Sequence, residues 1–126
     1  DTLCLCQFVW GPSWQLYGPD DVVELCRAGI GWDTSLFELM RVGERRINMM
    51  RHFGAREGFG REDDRLPARV FEPLPDGPAK GVCLDRGQFE RARDLYYAFA
   101  GWDGSSGNPT PAGLARLSLD WLTAEE

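Results

Sequence analysis

Between Asp33 and Phe53, apolar residues recur at helical spacing for longer than anywhere else in the chain, and this stretch limits the fold more than any other. Leu36, Met40, Gly43, Ile47 and Met50 follow at intervals of four and three, the signature of one helix face. Asp33-Thr34-Ser35 offers a cluster of N-cap residues, and Ser35 and Glu38 stand at capping-box spacing. Leu39, Val42, Met49 and Phe53 add an adjacent stripe, so well over a third of the circumference is apolar. The spacing predicts the longest helix of the chain, central to the fold rather than lying on its surface.

The flanking segments repeat this logic on a smaller scale. Asp20 or Asp21 is placed to cap a helix running to about Ala28, with Val22, Val23 and Cys26 on its apolar side and Gly29 and Gly31 ending it. Asp85 to Ala100 has Phe89, Ala92, Leu95, Tyr96 and Phe99 at helical spacing, stopped by Gly101. Thr110 can cap a short last helix with Pro111 at its first position and Leu114 and Leu117 turned inward. Pro67 biases Leu66 to an extended conformation, and the proline- and glycine-rich stretch from Pro73 to Gly81 excludes regular structure. Little period-2 alternation argues for strands. The expectation is an all-α, irregular helical domain with long Gly/Pro-rich connections, single over residues 1–126.

With 126 residues, of which 43% are hydrophobic, one core can bury roughly two thirds of the unfolded surface. The formal net charge is −6 and the basic residues are scattered, which argues against a nucleic-acid footprint. No apolar run reaches the roughly 18 residues of a membrane span, and Leu3 to Trp10 lacks the flanks of a signal peptide. The expected location is cytoplasmic. The four cysteines, at 4, 6, 26 and 83, are few for a disulfide scaffold, and 4 and 6 are too close to pair comfortably; free thiols or metal ligation are favoured.

Two features invite a catalytic reading. Asp63 and Asp64, with Arg56 and Arg61 as basic partners, could act as a carboxylate pair, but adjacent acids between arginines more often fix a loop through charge-assisted hydrogen bonds. His52, the single histidine, sits on the polar side of the long helix and is read as a surface or boundary residue. No catalytic residue is assigned. The aromatic set Trp32, Tyr96, Tyr97, Phe99 and Trp102 is read as core and inter-domain packing.

The order of short motifs carries more. Asp-x-x-x-Leu-Cys at 1 to 6, Gly43-Glu44-Arg45, Arg56-Glu57-Gly58-Phe59-x-Arg61-x-Asp63-Asp64-x-Leu66-Pro67, Tyr96-Tyr97, Gly101-Trp102-Asp103 and Gly107-x-Pro109-Thr110 occur in sequence. Together they resemble the C-terminal part of the tungsten-containing aldehyde:ferredoxin oxidoreductase family, from residue 1 to about Leu119. The resemblance implies an enzyme in which a tungsten or molybdenum ion is held by two pterins beside a 4Fe-4S cluster, oxidising aldehydes to carboxylic acids and passing electrons to ferredoxin. It also implies that this chain, which starts at Asp1 without an initiator Met, is the last helical domain of a longer polypeptide and inactive by itself. By position, Cys6 resembles the fourth cluster ligand, and Asp1 and Leu5 resemble pterin-contacting residues.

One departure concerns this segment: Cys4 stands where the family motif has glycine, adding a side chain where backbone and pterin approach closely. The change raises a competing ligand assignment, Cys4 to iron instead, but only Cys6 matches the family's ligand position. Cys26 and Cys83 have no such context and read as small buried hydrophobes. Two other classes stand beside the enzyme reading: a non-catalytic helical structural or interaction module of a relative that has lost its metal centre, and a small secreted helical domain with two disulfides.

Overall fold

A computed structural model describes Leu3, Cys6 and residues 17–123. It is all-α, as the spacing predicts: among the described residues there is no strand, and one isolated antiparallel bridge joins Trp102 to Pro109. Four α-helices follow in order, α1 (Pro19–Ile30), α2 (Leu36–Arg56), α3 (Arg86–Ala100) and α4 (Pro111–Arg116), with short 3₁₀ turns at Arg61–Asp63, Ala68–Phe71 and Asp120–Thr123. The described residues fall into two compact units, 1–49 and 50–126, and the division lies within α2.

In the first unit, α1 begins two to three residues earlier than a cap at Asp20 or Asp21 would place it. Gly18 is the cap and Pro19 takes the first helical position, while the Asp21 carboxylate reaches back to accept the Gly18 amide at 2.5 Å. The helix ends at Gly31, whose φ of 71° is the left-handed conformation that glycine adopts without a steric penalty. Val23, Cys26 and Leu39 form a small core, with Val22 and Leu3 packed against it. At the start of α2 the expected capping box is present: the Ser35 amide donates to Glu38 at 2.8 Å and the Glu38 amide donates to Ser35 Oγ at 3.3 Å. The Ser35 hydroxyl also donates to the Glu38 carboxylate at 2.8 Å, and this bond, with that from the Ser35 amide, holds the Glu38 carboxyl below its usual range.

At 21 residues α2 is the longest helix, but the chain buries far less of it than two apolar stripes imply. Leu39 and Asn48 are its buried positions, whereas Phe37, Met40, Met50 and Phe53 are each more than half exposed. The helix therefore presents apolar surface that the described residues do not cover.

The second unit is organised around α3 and the segment that follows it. Asp85 caps α3 by accepting from the Gln88 amide at 2.7 Å, and Gly101 closes it at φ 74°. Thr110 caps α4, its Oγ1 accepting from the Gly113 amide at 3.0 Å while donating to the Gly101 carbonyl at 2.9 Å, so one side chain joins the end of α3 to the start of α4. Glycine is required at position 113, because a Cβ there would lie 2.7 Å from the Gly101 carbonyl oxygen. Leu114, Leu117 and Leu119 are buried, with Leu122 against them. The loop from Pro73 to Gly81 is irregular as expected, and it closes on itself through Leu74–Val82 and Gly81–Leu74 backbone bonds of 3.0 and 2.9 Å.

Candidate functional site

The N-terminal hexapeptide is described in part. Asp1, Leu5 and Cys4 lie outside the described residues, so the two expected pterin contacts and the anomalous cysteine have no structural account. Leu3 packs on the Val23, Cys26 and Leu39 core, and Cys6, three residues later, is an exposed free thiol. Cys26 is free and buried, in keeping with a small apolar filler; Cys83 is free but exposed, where the sequence reading has it buried. No group of three or more His, Cys, Asp or Glu side chains among the described residues could hold a metal ion. The donor chemistry nevertheless suits an iron–sulfur cluster in one respect: an accessible, unpaired sulfur is a ligand such a cluster takes.

The charged loop is resolved in detail, and it is a network built by three segments. Arg51, in the last two turns of α2, donates two parallel hydrogen bonds to Asp64, at 2.8 and 2.6 Å, and a third from Nε to the Gly107 carbonyl at 2.9 Å. Such bidentate, charge-assisted pairing fixes the guanidinium in orientation as well as position. Tyr97, buried on α3, donates its hydroxyl to Asp64, and Arg93, one turn earlier, donates to the Asp64 carbonyl at 3.0 Å. Trp102 lies beneath Arg51, 5.0 Å from guanidinium to ring centre, and the Tyr97 ring is 5.8 Å from it. Asp63 faces away, accepting the Gly60 amide at 2.8 Å, and Arg61 pairs with Asp94 at 2.6 Å while donating to the Gly104 carbonyl.

The two aspartates therefore have separate partners, Asp64 toward Arg51 and Tyr97 and Asp63 toward the Gly60 amide. Burial pushes the Asp64 carboxyl up, but hydrogen bonds from Arg51 and Tyr97 and the charges of Arg51 and Arg93 outweigh it and leave the group below its ordinary range. Burial, together with the Asp64 hydrogen bond, raises the Tyr97 hydroxyl. Gly107 completes the packing. With φ at 71°, a Cβ there would stand 2.8 Å from both the Arg51 guanidinium and the Tyr97 hydroxyl. Asp103 is a separate device: it gathers Ser105 and Ser106 in its loop, and their donors lower its carboxyl to about 2.

Sequence reasoning named Asp64 in the loop and Tyr97 among the core aromatics, but not Arg51 and Arg93, which reach the aspartate from the two helices. The apolar spacing on α3 picks out Leu95, Tyr96 and Phe99, yet these are 59%, 49% and 85% exposed, and the buried residue is Tyr97 at 2%. The signal that was available is the i, i+4, i+8 row Phe89, Arg93, Tyr97, which an apolar count breaks at the arginine. His52 is intermediate in exposure, a boundary residue as expected, with its Nε2 buried and lacking a hydrogen-bond partner among the described residues.

Comparison with known proteins bears on the whole chain. The family model described as aldehyde ferredoxin oxidoreductase, domains 2 and 3, matches residues 1–119. The tungsten-containing aldehyde ferredoxin oxidoreductase of Pyrococcus furiosus is 36% identical over 87 residues, 68% of this chain and 14% of that protein. Its Thermococcus kodakarensis counterpart is 34% identical over the same coverage. A Pyrococcus furiosus protein named aliphatic sulfonate oxidoreductase, WOR-like subunit, is 30% identical over 125 residues, 94% of this chain and 19% of that protein. The matched stretch is thus less than a fifth of each of these relatives.

Proposed function

Because the chain belongs to the aldehyde ferredoxin oxidoreductase family, matching its domains 2 and 3 over residues 1–119, we propose that it is a cofactor-closing helical domain of a larger tungsten or molybdenum bis-pterin oxidoreductase. Cys6 supplies one thiolate to a 4Fe-4S cluster, and Asp1 and Leu5 contact a pterin. The observation that carries this reading is the state of Cys6: its thiol is free and exposed, three residues beyond Leu3, which is packed on the core of α1 and α2. A ligand segment needs both properties, an anchored backbone and an accessible sulfur.

When bound, the tungsten pterin and the cluster supply the two-electron oxidation and the onward transfer of electrons. This chain's own residues hold and shield: Cys6 ligates, Leu3 fixes the segment and the helical framework limits water at one side of the site. We read the 126 residues as a single helical domain whose partners are the remaining domains of the same polypeptide, with ferredoxin as electron acceptor and a cytoplasmic location. The relatives' names cover aldehyde and aliphatic sulfonate oxidation, and the aldehyde reading follows the higher identity. That no helix among the described residues is long and apolar enough to cross a membrane is compatible with this.

Substituting Cys6→Ser in the full-length enzyme tests the assignment. Cluster iron and sulfide should fall and the reduced-cluster paramagnetic signal should disappear or change, with helix content unchanged. Full iron, an unaltered signal and normal reduction of ferredoxin in that variant would sink it.

A further inference from the structure

Against the network of Arg51, Asp64 and Tyr97 lies an open cleft of about 560 Å³, within the range of small-molecule pockets. Its walls are unlike the rest of the chain. The protein carries a net charge of −6, but the cleft is lined by Arg51, Arg65 and Arg93 against Asp63 and Asp64. Asp64 is engaged by Arg51 and lies in the field of Arg93, so one carboxylate faces two guanidiniums, while Asp63 is turned to the Gly60 amide. Neither Arg65 nor Arg93 forms an ion pair among the described residues, and the Nε of Arg93 is buried without a hydrogen-bond partner. A half-buried cation in this condition attracts an anion more strongly than a solvated one does. The rest of the lining is aromatic: Phe89, with the Arg93 guanidinium 5.7 Å from its ring centre, Trp102, with Arg51 at 5.0 Å, and Tyr96, edge to face with Trp102 at 5.5 Å.

We propose that this cleft is a binding site for a small aromatic carboxylate, its anionic group against Arg93 and Arg65 and its ring among Phe89, Tyr96 and Trp102. The chemistry divides as small-molecule sites do, with apolar walls giving affinity and a few placed donors giving orientation. The site goes beyond the proposed oxidoreductase role, because it uses no residue of the hexapeptide and lies wholly within residues 51–102.

Equilibrium dialysis of radiolabelled benzoate against the full-length enzyme tests the proposal, with cluster iron measured on the same samples. Saturable binding should weaken at least about tenfold in Arg93→Gln, the loss expected for one charge-assisted hydrogen bond, and should be retained in Arg93→Lys. If Arg93→Gln does not fold, Arg65→Gln, altered at an exposed position, carries the same expectation. Benzoate binding of equal affinity in these variants and the wild type would overturn the proposal. So would an absence of binding to the wild type, the outcome if a carboxylate side chain from elsewhere in the polypeptide already fills the cleft. Either failure leaves the Cys6 assignment standing, since that rests on iron content and the cluster signal.

Discussion

At the scale of single residues, Asp64 decides how the second unit holds together. It accepts from Arg51 twice and from Tyr97 once, so its ionised form ties α2 to α3. The sign of its pH dependence follows from the lowered carboxyl: the stabilisation is complete above the ordinary carboxylate pKa and is lost as pH falls through the depressed folded value. At neutral pH, Asp64→Asn should cost about 1.5–3 kcal/mol, the range for hydrogen bonds to a charged group. The gap between variant and wild type should narrow as the pH drops below about 4. Urea unfolding at stepped pH measures this; a gap that stayed constant down to pH 2 would show that the carboxylate charge is not what Arg51 and Tyr97 recognise. The role was legible in outline, since adjacent acids among arginines announce a salt-bridged loop. That Asp64 and not Asp63 is the acceptor was not legible, because the choice depends on Gly60 turning one carboxylate back on its own backbone.

At the scale of elements, local chemistry was the readable part. Ser35 with Glu38, Gly101 and Thr110 with Pro111 are all seen at the helix ends where their side chains and backbone freedom place them. Each such cap acts within three or four residues, so sequence contains nearly all of it. Facing is different, because which side of a helix is buried depends on what lies across from it. On α3 the polar-looking row through Arg93 turned inward, since Arg93 finds a carbonyl and Tyr97 finds a carboxylate there, while the apolar row through Leu95 and Phe99 stayed outside. The Asp85 cap allows a clean check at this scale: Asp85→Ala should destabilise the protein by about 1 kcal/mol, whereas Asp85→Ser should recover most of that. Thermal unfolding of the pair would show it, and equal loss in both variants would mean that the Asp85 charge, not the cap, matters.

At the scale of the whole molecule, the misreading of α2 and α3 and the comparison with relatives explain each other. An apolar stripe evolves to be covered, yet Ala92, Leu95 and Phe99 lie open, and the chain matches only 14% of the length of the Pyrococcus furiosus tungsten enzyme. Spacing marked these residues as a core face, and the described residues leave them exposed. If the remaining polypeptide packs on α3, as the proposed role requires, Phe99 gains burial only in the full-length protein. Phe99→Asp should then destabilise the full-length enzyme by at least the roughly 1.5–3 kcal/mol of a buried aromatic side chain, and change the unfolding of the 126-residue chain by no more than about 0.5 kcal/mol, as surface substitutions do. Denaturant midpoints for both lengths, each with and without the substitution, separate the cases. Equal effects at the two lengths would mean that α3 meets no further domain.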